Sequence, residues 1–475
     1  MRSSSTRAFL ALALSVASLA LLQNLVIPVI PLMQSDLGVT SDAASWTMTA
    51  WLIAAAVATP VLGRVGDLRG RRSTFLAVLV VIVIGDLVAF YASSIGILLV
   101  GRVLQGVGGA LFPLAFGLIR DTVPRERVTG SIGAMSSIIG IGGAAGSVLA
   151  GPLSESVGWR GLFLVPLILS VIGILLTVAW VPRSRTTSTG SLNVLSAVLL
   201  SGWLVALLIP LTSGARWGWT SPAVLGLLAL AVVLFAAWVT AELRASEPLV
   251  DIRMLLDRAI WPTNAAAFLV GAAAFGFWGY LPQFLETASA TGWGMGLDAR
   301  AAGLVLLPLL IGMSAMGFAT GALSRVLPLR VQLALGAAVM GVAVLSAVVV
   351  HTELWQLAVA GGLFGLGIGA SYAAAASIIV QSVPAARVGV ATGVNANLRT
   401  IGSAFGSALT SALVFGTVDA SGSPFESGYD IAWLTMAALA FAAAVIVIAT
   451  TRRPRSEVGM PGRRIDELEL VGAEA

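Results

Sequence analysis

The chain alternates apolar runs with short polar connections, and most runs approach the ~20 residues needed to cross the hydrocarbon core of a bilayer. They fall at about 8–32, 43–62, 73–93, 97–119, 129–153, 160–181, 190–211, 221–241, 259–285, 299–323, 330–350, 354–381, 388–416 and 430–450. Fourteen spans are therefore expected. With 58% hydrophobic and 10% charged residues, against ~25% charged in soluble domains, the apolar surface needs a bilayer as its solvent. An all-α polytopic membrane protein follows, because only helices or closed barrels satisfy every backbone group in lipid. The apolar run after Arg7 continues to Met33, too long for a cleaved signal segment, and reads as the first span.

The 27 basic residues are all arginine. Placing both termini in the cytoplasm puts 22 of them in inner loops and tails, among them Arg2, Arg120, Arg125, Arg183, Arg185 and Arg452. Arg160, Arg216 and Arg300 then fall outside, beside loops carrying Asp36, Asp42, Asp419, Glu426 and Asp430. This satisfies the positive-inside rule and explains the basic balance without nucleic acid. Cysteine is absent, which excludes disulfides and thiolate chemistry.

The sequence also repeats itself. Pro124, Arg127, Gly133, Gly142 and Gly146 recur as Pro384, Arg387, Gly393, Gly402 and Gly406, each 260 positions later, and Gly109-Ala110 recurs as Gly369-Ala370. Two six-helix bundles related by duplication are expected, as in many carriers. Their boundaries are 1–187 and 258–451, with two inserted helices and a cytoplasmic linker at 188–257 and a cytoplasmic tail, read as disordered, at 452–475.

Between the second and third runs stands Gly63-x-x-Gly66-Asp67-x-x-Gly70-Arg71-Arg72, read here as a short loop flanked by helices at 43–62 and 73–93. It resembles the loop signature of the major facilitator superfamily. Across most of its length the chain is similar to that family's fourteen-spanner drug:proton antiporter branch. The likeness extends through Arg102-x-x-Gln105-Gly106-x-Gly108-Gly109, Trp217-Gly218-Trp219, and Glu242-x-Arg244 followed by Pro248-Leu249-x-Asp251-x-Arg253. The resemblance implies a bacterial inner-membrane transporter that exports amphipathic organic compounds (drugs, antibiotics or metabolites) against proton influx by alternating access. Its partners would be a small-molecule substrate, protons and lipid; no cofactor beyond the proton gradient and no metal are expected, and a monomer is expected. For the loop it implies a gate on the cytoplasmic side, built from Gly63, Asp67, Gly70, Arg71 and Arg72. In that gate Asp121 pairs with Arg71, and Asp67 faces the thirteenth helix near Gly389.

Ionisable residues inside a bilayer are candidates for function. Asp86 is the one acid placed within a helix core. Depth counting from the turn near Ile95 brings it level with Arg102, so the two form either a structural ion pair or a proton-coupling unit. In the family the arginine of the Gln105-containing signature is associated with proton coupling. Here the chain departs from its branch. Where an acid is usual in the first helix it carries Gln23 and Asn24, amides that cannot take up a proton near neutral pH. They read as pocket residues or as bridges between helices. Asn395 and Arg399, at i and i+4, share one face that must look inward, toward substrate or toward another helix. Trp278, Tyr280 and Tyr372 line an aromatic cavity or anchor helix ends. Gly142, Gly146, Gly151 and Pro152 resemble the family's antiporter signature, with Ser147 and Ala150 replacing the usual proline and glycine, and the glycines permit close helix packing.

Two rival readings remain open from sequence. The missing first-helix acid favours a facilitator or symporter of a small polar metabolite. A non-transporting receptor would need a signalling domain. An enzyme would need clustered carboxylates or histidine ligands, and the one histidine, His351, stands alone at a helix end.

Overall fold

The computed structural model describes residues 2–183, 190–258, 260–416 and 424–450. The expectations resting on Arg185, Asp419, Arg452 and the 452–475 tail fall outside those residues, as do the side chains of Arg2, Asp42 and Ser147.

Apolar runs become helices with polar residues at their starts. α1 (Arg2–Val26) passes through a short turn at Pro28 into α2 (Ile30–Leu37). Thr40, whose side chain accepts from the Ala43 amide, starts α3 (Ser41–Arg69). Then follow α4 (Arg71–Phe90), α5 (Ile95–Gly106) and α6 (Leu111–Thr122), the last two joined through a tight turn at Val107–Ala110. α7 (Arg125–Gly161) bends at Gly158, whose φ of 69° only glycine adopts readily, and α8 (Leu164–Trp180) follows. Asn193 and Ser221 cap α9 (Val194–Trp217) and α10 (Pro222–Arg244), and a linker with the short α11 (Ile252–Leu255) leads on. The remainder comprises α12 (Trp261–Trp278), α13 (Leu281–Glu286), α14 (Ala299–Val305), α15 (Leu307–Leu323), α16 (Leu329–Val349), α17 (Leu354–Ser382), α18 (Val388–Val414) and α19 (Glu426–Ala449).

Among the described residues, twelve helices, some continuing through a short turn, are long and apolar enough to cross a membrane, or thirteen if the pair bent by 79° between Val148–Gly161 and Leu164–Trp180 is one span. The 27-residue α18 falls outside that test. Its Asn395, Asn397 and Arg399 lower its apolarity, and both asparagines are buried inside the bundle.

Two groups of helices pack around separate cores. One gathers α1 and α3–α8 around Leu12, Phe75, Ile82 and Leu114. The other gathers α12 and α15–α19 around Phe277, Phe364 and Trp433. The groups meet where α7 lies on α15 and α17, and where α18 lies on α3 and α6. Gly133 and Gly393, 260 positions apart, take corresponding places: Gly133 packs on the Gly317 backbone of α15 and Gly393 on Pro60 of α3. α9 and α10 pair with each other, and α9 rests on α3 and α18 at the seam.

Two expectations need correcting here. Residues 63–69 are helix, not loop. α3 runs on to Arg69, and the reversal is confined to Gly70, with φ of 101°. An arginine-rich stretch without proline has no reason to leave the helix before the glycine that permits the turn. Second, α10 extends to Arg244, so Glu242 lies within it, 3% exposed. Asp86 is therefore not the only acid inside a helix core.

Candidate functional site

At the α3–α4 turn, called here the Arg71 end, the two helix groups are tied together by buried charge. Asp67 and Arg71 are 0% and 1% exposed. One turn apart across Gly70, they form an i,i+4 pair: Arg71 donates to Asp67 Oδ1 through Nε (3.0 Å) and Nη2 (2.7 Å). Its Nη1 donates to both oxygens of Asp121, at the end of α6, at 2.8 Å. A single guanidinium fork thus spans two carboxylates, the arrangement its planar donors suit best.

Two links then cross to the other group. Arg71 Nη2 also donates to the Ala385 carbonyl. Asp67 accepts from the backbone amides of Gly389 (3.2 Å) and Val390 (3.1 Å), at the start of α18. A carboxylate placed there satisfies orphan N–H groups and meets the positive end of the helix dipole. Gly63 makes this approach possible, since a Cβ on it would stand 2.5 Å from the Gly389 carbonyl oxygen. Arg72 instead bonds the Val178 carbonyl of α8 at 2.8 Å.

Arg120 was marked in the sequence only as an inner-loop cation. Its guanidinium donates to the Val380 and Val383 carbonyls, both at 2.8 Å, at the end of α17. Gln381 donates to Thr129 at 2.9 Å beside it. A crevice of about 540 Å³, lined by Arg120, Asp121, Arg125 and Gln381 among others, opens at this seam. The adjacency of Arg120 to Asp121 was the available signal, since an acid–base pair closing a helix invites partners on both sides.

A second charged cluster is sealed between α3, α4 and α5. Arg102, fully buried, donates through Nε to the Thr47 carbonyl (3.0 Å) and through Nη1 to Gln105 Oε1 (2.8 Å). Gln105 Nε2 donates to Asp86 Oδ1 at 2.8 Å. Asp86 Oδ2 has no hydrogen-bond partner among the described residues. The expected direct ion pair of Asp86 and Arg102 is thus corrected to a relay through Gln105. Depth along the helices matches, but the guanidinium turns toward α3, where it also lies 5.9 Å from the Trp51 ring centroid. The amide one turn beyond fills the gap.

The remaining candidates divide. On α18, Asn395 Nδ2 donates to Asn264 Oδ1 of α12 (2.9 Å), and Asn397 Nδ2 to the Ala56 carbonyl of α3 (2.8 Å). Arg399 lies over the Tyr372 ring of α17, 4.4 Å from its centroid. Asn264 went unmarked in the sequence because it sits within an otherwise apolar run. Trp278 packs on Phe275, and Tyr280 bonds the Ser407 carbonyl at 3.0 Å, so neither joins this track. Gln23 and Asn24 are half-buried on α1, and Asn24 bonds its own helix at the Ala20 carbonyl, 2.8 Å away, while facing Gly143 and Gly146. Gly142 and Gly146 press against Ala20 and Asn24 of α1, where side chains would collide. Gly151 is corrected: a Cβ there would meet nothing within 4 Å, and Pro152 is exposed, because this face of α7 points away from the core that Ala150 and Trp159 enter.

Between α10 and α12, Glu242 holds the linker by accepting from the Trp238 indole (3.1 Å) and the Val250 amide (3.2 Å). Asp251 caps α11 and pairs with Arg387 at 2.5 Å. Burial pushes the Asp251 carboxyl up, but Arg387 and the Met254 and Arg253 amides outweigh it and hold it below its ordinary value.

A multi-pass bundle of two helix groups, tied by buried charge at one end and threaded by polar side chains between them, has the build of a membrane carrier. The chain belongs to the Major Facilitator Superfamily, whose family model matches residues 12–407, and it is a membrane transporter. It is 30% identical over 417 residues to the tetracenomycin C resistance and export protein of Streptomyces glaucescens, spanning 85% of this chain and 75% of that protein. It is 25% identical to multidrug resistance protein 3 of Bacillus subtilis, over 81% and 73% of the two chains. Among solved structures, the human organic anion transporter MFSD10 superposes with a TM-score of 0.65 at 15% identity, covering 94% of this chain and 99% of that one. The proton:xylose symporter XylE superposes with 0.66 at 12%, covering 94% and 96%. These two share the fold.

Proposed function

We propose that this chain is a fourteen-span, proton-driven exporter of amphipathic organic compounds in a bacterial plasma membrane, of the drug:proton antiporter branch. Both termini and the Arg71 end lie in the cytoplasm, in keeping with the arginine distribution. Residues 1–187 and 258–451 are the two rocking bundles, and 188–257 is an insertion that rides on their seam. The Asp67–Arg71–Asp121 network is the inner gate, closed in the conformation described above. Asp86 carries the coupling proton. The observation that supports this most is the buried chain Asp86–Gln105–Arg102–Thr47, which links a carboxyl group having one free oxygen to the backbone of α3. α3 also carries the gate acid, so a proton arriving at Asp86 changes the bonding of the helix that must move. The kinship with export proteins supports the direction of transport.

A second reading, a facilitator or symporter of a polar metabolite, is favoured by one observation: Gln23 and Asn24 stand where an acid would serve cation export. Everted vesicles separate the two. Adding cargo to energised vesicles discharges part of the pH gradient if the chain is an antiporter, and Asp86→Asn abolishes that discharge. Full coupling in Asp86→Asn overturns the assignment of that residue, and cargo entry without proton movement overturns antiport.

A further inference from the structure

We infer that Arg399 and Tyr372 form an anion-recognising subsite, so that the cargo class is aromatic or alicyclic organic anions bearing a carboxylate, sulfonate or phenolate. The inference rests on the export reading and narrows its substrate.

Two arginines lie deep in the spans, and they differ in what their donors do. Arg102 bonds Thr47 and Gln105 and is fully buried. Arg399 stands eleven residues into α18, about 17 Å from its first residue at ~1.5 Å per residue. Among the described residues its guanidinium has no hydrogen-bonded or ion-paired partner. It lies over the face of Tyr372, whose hydroxyl is likewise unbonded among the described residues. A charge at that depth is tolerated only toward a polar or water-filled space. A ring face supports a guanidinium from one side and leaves the planar donor fork open to a carboxylate or sulfonate.

Among the described residues, the elements around α18 supply no competing acid. α12 and α17 contain no charged residue. The acids of α3 and α6 described here, Asp67 and Asp121, are engaged at the Arg71 end. Those of α19, Glu426 and Asp430, lie in its first two turns at the opposite end, and α9 contributes only Arg216. Asn395, one turn from Arg399, and Asn264 add a neutral amide pair. Helix α1 offers Gln23 and Asn24 in place of a carboxylate. Among the described residues, a guanidinium with an open donor fork, an aromatic face and neutral amides together attract an anion with an apolar ring and repel a quaternary ammonium of the same shape.

The test uses the full-length protein in lipid nanodiscs and two shape-matched probes, naphthoate and naphthylmethylammonium, by titration calorimetry. Naphthoate is expected to bind at least about tenfold more tightly than the ammonium probe. Arg399→Gln should erase that preference and Tyr372→Phe should weaken naphthoate by about threefold. Arg399→Lys should keep the preference at reduced affinity, which separates recognition of charge from loss of folding. Tighter binding of the ammonium probe, absence of naphthoate binding, or unchanged naphthoate affinity in folded Arg399→Gln overturns the inference. Flux of naphthoate from proteoliposomes under a pH gradient tests export separately: charge-selective binding without flux sinks export alone, and flux without charge selectivity sinks the anion subsite alone.

Discussion

Replacing Asp67 by asparagine removes the charge at the centre of the proposed gate while keeping its shape. Asp67 accepts four hydrogen bonds at 2.7–3.2 Å, two from Arg71 and two from the start of α18. The pair with Arg71 lies within one helix group and is weakened in both conformers, so it does not enter the ratio between them. Only the closed arrangement has the two α18 amides on Asp67; asparagine keeps one acceptor oxygen for them and loses one charge-assisted bond, ~1.5–3 kcal/mol. Loss of the anion at the α18 terminus adds ~0.3–1 kcal/mol. At ~1.4 kcal/mol per tenfold, the ratio of closed to open conformers should fall by more than about tenfold. The chain has no cysteine, so a pair at Thr129 and Gln381, bonded across the seam at 2.9 Å, can be introduced without a background. A short bifunctional thiol reagent should link that pair rapidly in the parent and much more slowly in Asp67→Asn. Arg160→Gln is the control, because Arg160 bonds Asp36 and Ala92 of its own helix group. Equal linking rates in folded parent and Asp67→Asn would refute the gate.

Other expectations follow from the same geometry. Gly63→Ala sets a methyl 2.5 Å from the Gly389 carbonyl oxygen, an overpacking that costs ~1–3 kcal/mol and should slow both linking at the seam and transport. Gly151→Ala meets open space and should leave thermal stability unchanged, whereas Gly146→Ala, against Asn24, should lower it. Gln105→Leu strands Arg102 Nη1 and Asp86 Oδ1, at ~1–3 kcal/mol for each buried unmet group. It should abolish proton-driven flux while cargo exchange without a gradient persists, and coupled flux in that variant would remove Gln105 from the relay. For Asp251 the carboxyl sits below its ordinary value. The docking it provides is therefore complete above the ordinary carboxylate range, ~4, and is lost as pH falls through the folded value. Hydrogen exchange of residues 245–256 should then show no added opening between neutral and mildly acidic pH, and Asp251→Asn should show it throughout.

The sequence made the helices legible because bilayer thickness fixes their length and the repeat at 260 positions marks which helices correspond. The arginine-rich stretch at 63–72 drew attention to Asp67 and Arg71, but its helical continuation to Arg69 was hidden. Charge density suggests a loop, whereas only Gly70 breaks the helix. The error at Asp86 has a related origin. Counting residues from a turn gives depth and says nothing about the azimuth of a long side chain, and Arg102 points to α3 while Gln105 reaches Asp86. The contacts of Arg120, Asn264 and Glu242 are not legible, because their partners are backbone carbonyls, another amide, or an indole and a linker amide. Apart from the adjacency of Arg120 to Asp121, such partners leave no pattern in sequence.

The two seams between the helix groups are related by the repeat yet differently built, and the difference bears on how the carrier is driven. At one, α7 meets α15 through small groups: Gly130 faces Gly321, and Ser137 bonds the Ser314 carbonyl at 2.8 Å. At the other, α3 meets α18 through Asp67, Gly63 and Asn397. The position corresponding to Asp67 at the first seam is Leu327, 260 residues on, which can cap nothing. Of these two seams, among the described residues, it is the α3–α18 one that carries a carboxylate contact, and α3 also receives Arg102 at Thr47. If the glycine and serine seam serves as a bearing and the charged seam as the lock, Leu327→Asp should create a second lock at the start of α7. It should raise linking of the Thr129–Gln381 pair and slow turnover. A Leu327→Asp variant with unaltered turnover and linking would mean that an acid at this place does not govern opening, and that the asymmetry of the seams has no part in the cycle.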